Sequence, residues 1–206
     1  MKIIDLTEEH KDLYFKCLED WSDEMEEAGD HKACWYEQMK DKGLGVKLAV
    51  DDRGTVGGMI QYIPIEYTPA EGQDMYFIPC IWVHGYKKGA ILLWKPFAED
   101  AVPPKWIRVK KKPQKEEGKV VVTSFINGVC PAQNLVFERT KRASSEFGEK
   151  VEFREINTFD RDTFLEWGIY DGLFIDDKQI RTGPPPSYKK IKKRIARRVK
   201  NCSQPF

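Results

Sequence analysis

Lys119-Val120-Val121-Val122-Thr123-Ser124-Phe125-Ile126-Asn127-Gly128-Val129-Cys130-Pro131-Ala132-Gln133 is the stretch whose reading decides the fold. Its first eight residues are β-formers without a charge after Lys119, the composition of a fully buried strand. Asn127-Gly128 is a turn signal, and Pro131 suits the first position of a helix, where a missing N–H costs nothing. One thiol therefore lies at the tip of a strand and the amino end of a helix. There the unpaired amides and the helix dipole favour thiolate over thiol.

Outward from this stretch the pattern alternates. It predicts a strand over 119–126, a helix over 131–147 and a strand over 151–156. A short helix over 160–167, a strand over 172–176, a turn into 179–181 and a final helix over 187–200 follow. The order β-α-β-α-β-β-α is that of the thioredoxin fold. Folds of that kind working by thiol exchange usually carry a second cysteine where this chain has Gln133. They also carry a cis-proline opposite the thiol, where this chain has Asp171. Both differences weigh toward a cysteine retained in a scaffold rather than a redox centre.

On the amino-terminal side, residues 98–118 carry Pro103, Pro104 and Pro113 with the run Lys110-Lys111-Lys112. Proline removes backbone donors and the charges resist burial, so 99–118 reads as a linker, its middle pinned to a surface by Trp106 and Ile107. Two α/β domains are expected, 1–98 and 119–206. In the first, 2–6 reads as a strand. Thr7 reads as the N-cap of a helix continuing through Leu13, Tyr14, Cys17, Leu18 and Trp21. A second helix over 31–42 should stop at Gly43. Strands are expected over 46–50, 55–67 and 75–83, the last apolar enough to be central, and over 90–94.

Composition bounds the rest. Of 206 residues 41% are hydrophobic and 12% aromatic, enough for packed cores. The net charge of +1 argues against a globally basic nucleic-acid binder. Five scattered cysteines suit a reducing cytoplasm better than a disulfide framework. No apolar signal core opens the chain and no window is apolar enough to span a bilayer. His10, His31 and His84 show no metal-ligand spacing with the cysteines.

The order of the first domain, ending Cys80-Ile81-Trp82-Val83-His84-Gly85, resembles the GNAT acyltransferases. Trp21-Ser22-Asp23-Glu24-Met25, Gly57-Gly58-Met59-Ile60-Gln61-Tyr62, Leu92-Leu93-Trp94-Lys95-Pro96, Phe125-Ile126-Asn127-Gly128 and Gly183-Pro184-Pro185-Pro186-Ser187-Tyr188 narrow the likeness. Together they resemble the YoaP-like acetyltransferases, a shortened GNAT-like mixed-sheet domain here followed by a thioredoxin-like one. The resemblance implies transfer of an acetyl group from acetyl-CoA to an amine, on a small molecule or a protein. Backbone groups near Trp82, Val83 and His84 would hold the pantetheine arm, Lys87, Lys88 and Gly89 the phosphate end, and Glu66 would act as general base through water. In the family a glycine-rich loop and a helix follow the strand and bind the pyrophosphate. Here Tyr86-Lys87-Lys88-Gly89 runs directly into Ala90-Ile91-Leu92-Leu93-Trp94, so that segment is missing. Two other readings stay open: a non-catalytic scaffold that has lost its cofactor site, and a monothiol redox protein using Cys130.

Three features have plainer readings. His84 at a strand end is more often a satisfied polar group, and Glu66 an outward-facing carboxylate. The helix over 187–200 has Ile191, Ile195 and Val199 four apart, so one stripe should dock while the cations face water. Without an aromatic pattern, the solvated face outweighs a polyanion surface. The acidic run Glu19, Asp20, Asp23, Glu24, Glu26, Glu27 and Asp30 could attract a cationic amine, or that helix.

Overall fold

The computed structural model describes residues 1–19, 23–83, 99–180 and 184–202. The protein is a mixed α+β chain that divides into two compact units. One holds Met1–Ser22 and Ala33–Ile107, the other Asp23–Lys32 and Arg108–Phe206.

The first unit begins with strand β1 (Lys2–Asp5) and the short helix α1 (Lys11–Phe15). Helix α2 (His31–Met39), which crosses the boundary between the units, leads through a 3-10 turn to Gly43, left-handed at φ 89° as the sequence predicts. Strands β2 (Gly45–Val50) and β3 (Val56–Pro64) form a hairpin, and Asp51 Oδ1 accepts the Arg53 and Thr55 amides at its turn. The two-residue strand β4 (Ala70–Glu71), strand β5 (Tyr76–Val83) and the two-residue strand β6 (Lys105–Trp106) complete the unit. The main sheet runs β1-β2-β3-β5, and every described ladder in it is antiparallel rather than mixed. Tyr14, Leu18, Val46, Leu48, Val56 and Met59 form the core.

Three expectations are corrected. The first helix does not run to Trp21: α1 ends at Phe15, and Cys17 and Leu18 turn left-handed at φ 52° and 59°. Two such non-glycine residues cost roughly 1–2 kcal/mol each, but the turn sends Leu18 to 0% exposure, which returns roughly 1.5–3 kcal/mol. The Leu18 amide, bonded to Leu13 O at 2.9 Å, closes the end. Second, β3 stops at Pro64 and Ile65–Tyr67 is a 3-10 turn, so Glu66 lies outside the strand. Third, among the described residues β5 is the edge of its sheet rather than a central strand, with Tyr76, Ile78, Ile81 and Val83 exposed. The expected strand over 90–94 lies outside the described residues.

Trp106 is held as its composition predicts. β6 pairs with β4, the ring meets Phe77 edge-on at 5.8 Å, and the Ile107 amide bonds Pro69 O.

The second unit follows the alternation in its sequence. Strand β7 (Val120–Ile126), helix α3 (Pro131–Ser145), strand β8 (Val151–Asn157) and helix α4 (Arg161–Trp167) lead to the hairpin β9 (Gly172–Ile175) and β10 (Lys178–Ile180), then helix α5 (Tyr188–Cys202). The sheet order is β10-β9-β7-β8, with β7 parallel to β8 and antiparallel to β9. All seven residues of β7 are buried, which accounts for a strand without a charge, its two polar residues being the small Thr123 and Ser124. Asp176, 1% exposed, closes the β9–β10 turn: it accepts the Val121 amide at 3.0 Å and pairs with Arg198 of α5. No helix among the described residues is long and apolar enough to cross a membrane.

Candidate functional site

In the first unit chemistry gathers where β3 meets β5. The register pairs Gln61 with Cys80 and Met59 with Trp82, then shifts, so that Ile63 faces Phe77. Tyr62 of β3 thus opposes both Ile78 and Pro79 of β5, a bulge that bends β5 and re-aims its side chains. Directly opposed residues share a face, so Gln61, Cys80, Met59 and Trp82 lie on one side of the sheet. Cys80 and Trp82 pack there against the core that contains Tyr14.

This face carries an unusual polar load. Gln61 is 0% exposed, and its Oε1 accepts the Tyr14 hydroxyl at 2.8 Å. Burial pushes the Tyr14 phenol well up, so it stays a donor at any physiological pH. Gln61 Nε2 and Trp82 Nε1 are both buried and have no hydrogen-bond partner. An unmet buried donor costs about 1–3 kcal/mol, and two of them lie here on one strand pair.

Of the residues the resemblance assigns, Trp82 and Val83 end β5, Trp82 half-buried and Val83 exposed. Glu66 is exposed on its turn. His84, Lys87, Lys88 and Gly89 lie outside the described residues. Tyr14 and Gln61, which the sequence reading passed over, were signalled only by a polar residue on the buried side of an alternating strand.

In the second unit Cys130 is the N-cap of α3, exposed and extended at φ −110°, ψ 113°. Its carbonyl takes the Gln133 and Asn134 amides at 3.0 Å. Side chains string the preceding loop. Asn127 Oδ1 accepts the Val129 amide while its Nδ2 donates to Tyr170 O, both at 2.9 Å. Asn134 Nδ2 donates to Gly128 O, and the Thr158 hydroxyl donates to Ile126 O and Tyr170 O. The Tyr170-Asp171 stretch before β9 is thereby tied to the cysteine loop. Burial disfavours the charged form of both side chains, pushing the Tyr170 phenol up and holding the Asp171 carboxyl above its usual range. Asn127 was read from sequence as a turn residue, but the anchors Thr158 and Tyr170 were not singled out, because their partners are remote in the chain.

The described cysteines are all free thiols, and among the described residues no three His, Cys, Asp or Glu side chains form a metal-holding group. Comparison with known protein families, with curated proteins and with solved structures gave no match to this chain.

Proposed function

We propose that the chain is a shortened GNAT-type N-acyltransferase joined to a thioredoxin-like unit, taking the thioester end of acetyl-CoA along β5 and an amine as acceptor. The observation that carries this reading is the β3–β5 bulge with its two orphan donors, Gln61 Nε2 and Trp82 Nε1. An amide-rich arm laid along β5, the sheet's edge among the described residues, would gain the backbone bonds an edge strand offers. The sequence order of the first unit supports the family, and the element order and sheet order of the second support the thioredoxin-like assignment.

The residues fit half of the cofactor. The edge and the donors suit the thioester and pantetheine, whereas the segment that binds the pyrophosphate in the family is missing after Gly89. Acetyl-CoA supplies an activated acyl carbon. The amine nitrogen would bond to that carbon as the C–S bond breaks and the thiolate leaves, and the one proton lost by nitrogen would reach the thiolate by way of the base. The ammonium proton passes through water to a base such as Glu66, whose exposure on its turn leaves it open to solvent.

Melting followed against acetyl-CoA and against S-acetylpantetheine tests the reading, because a ligand that binds only the folded state must raise the midpoint. Both should raise it alike, since the phosphate end finds no loop. No shift with either at millimolar concentration would sink it. A second reading rests on the exposed thiol of Cys130: attack on a small disulfide, giving a mixed disulfide and releasing one thiolate. Cys130→Ser separates the two, leaving ligand-induced melting shifts intact under the first reading and abolishing adduct formation at that position under the second.

A further inference from the structure

α5 carries eight cations and no acid over 15 residues. Its apolar stripe is already used: Ile191, Ile195 and Val199 are 1%, 0% and 9% exposed and belong to the core of the second unit. Lys192 pairs with Glu146, and Arg198 with Asp176 and Asp177. Lys189, Lys190, Lys193, Arg194, Arg197 and Lys200 remain, all exposed and without an ion pair among the described residues. At 3.6 residues per turn these six fall within one arc of about 140°, centred about 170° from the buried stripe, along about 16 Å of helix axis.

Two members of the acidic run pair with α3 rather than with this face. Glu27 pairs with Arg139 and Arg142, and Glu24 with Arg139, all three pairs being made to α3. Among the described residues the cationic row is thus left without an ion pair.

We propose that this face of α5 docks on the phosphate backbone of duplex DNA without reading its sequence. Duplex DNA carries one charge per about 1.7 Å of axis, so the row faces about nine phosphates, and its major groove, about 12 Å wide, admits a helix. The alternatives lack a feature they need. A helix that lies in a bilayer surface must bury an apolar face there, and this one is committed to the core. Single strands need aromatic platforms, and the arc has none. A protein partner needs an apolar or aromatic anchor at the centre of the patch, and the arc, with its four lysines, two arginines and Asn201, offers none. The deep, narrow major groove of duplex RNA would not take the helix. The proposal is independent of acyl transfer.

The test is fluorescence anisotropy of a labelled duplex of mixed sequence, about 20 bp long, titrated with the full chain between about 50 and 200 mM salt. Micromolar binding is expected at the low end, with a log–log salt slope of about −3 to −5. The double substitution Lys193→Gln/Arg197→Gln should flatten that slope by roughly two and weaken binding about tenfold or more at low salt. Lys190→Gln/Lys200→Gln serves as a second variant should the first fail to keep the wild-type melting curve, and Lys2→Gln, in the first unit, should change neither quantity. Absence of binding at low salt, or a slope that neither double variant alters, overturns the proposal. Tighter binding to phosphatidylserine vesicles or to polyglutamate than to the duplex at matched salt overturns it as well.

Discussion

Arg139 shows how one side chain can commit a remote stretch of chain. It sits on α3 at 4% exposure, with Nη2 2.9 Å from Glu27 and 3.4 Å from Glu24, while its Nε has no partner. A guanidinium taken this far from water needs an anion, and Glu27 supplies it from a point 112 residues earlier. The contact with Arg139, then that with Arg142, holds the Glu27 carboxyl below its usual range. A depressed folded value means stability that is full above the ordinary glutamate range and fades as pH falls through the folded value. Because Glu27 is about one-third exposed, Glu27→Gln should cost about 1–2 kcal/mol at neutral pH rather than the larger sum for a fully buried pair. Urea midpoints of wild type and variant should converge as pH drops below the glutamate range; a gap constant to pH 3 would show that the charge is not the source. The acidic run was legible in the sequence, but its partner was not, since an arginine in the middle of a helix carries no mark of burial.

At the scale of elements, legibility followed the strength of the local signal. The second unit's strands and helices lie close to where periodicity puts them, because each is bounded by a local device. Asp160 caps α4 by accepting the Thr163 amide at 2.8 Å, and Gly168 ends it at φ 68°. Gly168 has a second reason to lack a side chain: a Cβ there would fall 2.1 Å from the Arg108 carbonyl oxygen. Gly168→Ala should therefore cost about 2 kcal/mol or more, the left-handed penalty plus a backbone shift, read as a lower denaturation midpoint with unchanged slope. A loss below about 0.5 kcal/mol would mean that the 108–109 strand of backbone yields freely. The first unit was less legible. The periodicity of α1 continues past Phe15, yet burial of Leu18 outweighs it, and Thr7, expected as a cap, bonds the His10 ring at 2.6 Å instead. The apolar composition of β5 could not distinguish a central strand from an edge whose outer residues stay exposed.

For the whole molecule the consequence is a second unit that is discontinuous in sequence, since Asp23–Lys32 belongs with Arg108–Phe206. Beyond Glu27, His31 Nε2 lies 2.7 Å from Glu138, and its ring meets Phe137 edge-on. A chain starting at Arg108 would leave Arg139 buried without its carboxylates. Such a fragment should unfold at a lower urea midpoint than the same unit in the full chain, and fusing residues 23–32 to it should recover much of the difference. Equal midpoints would count against the clip. The sequence by itself determined the alternation of the second unit, the buried β7, the position of Cys130 at a helix start and the two-sided character of α5, because these rest on periodicity and turn chemistry within a few residues. Only the tertiary structure decided that Glu24 and Glu27 of the acidic run pair with α3. Tertiary structure alone also set Gln61 and Trp82 as unmet donors on one face beside a bulge. Both depend on which remote groups are brought together away from water, and local propensity carries no record of that.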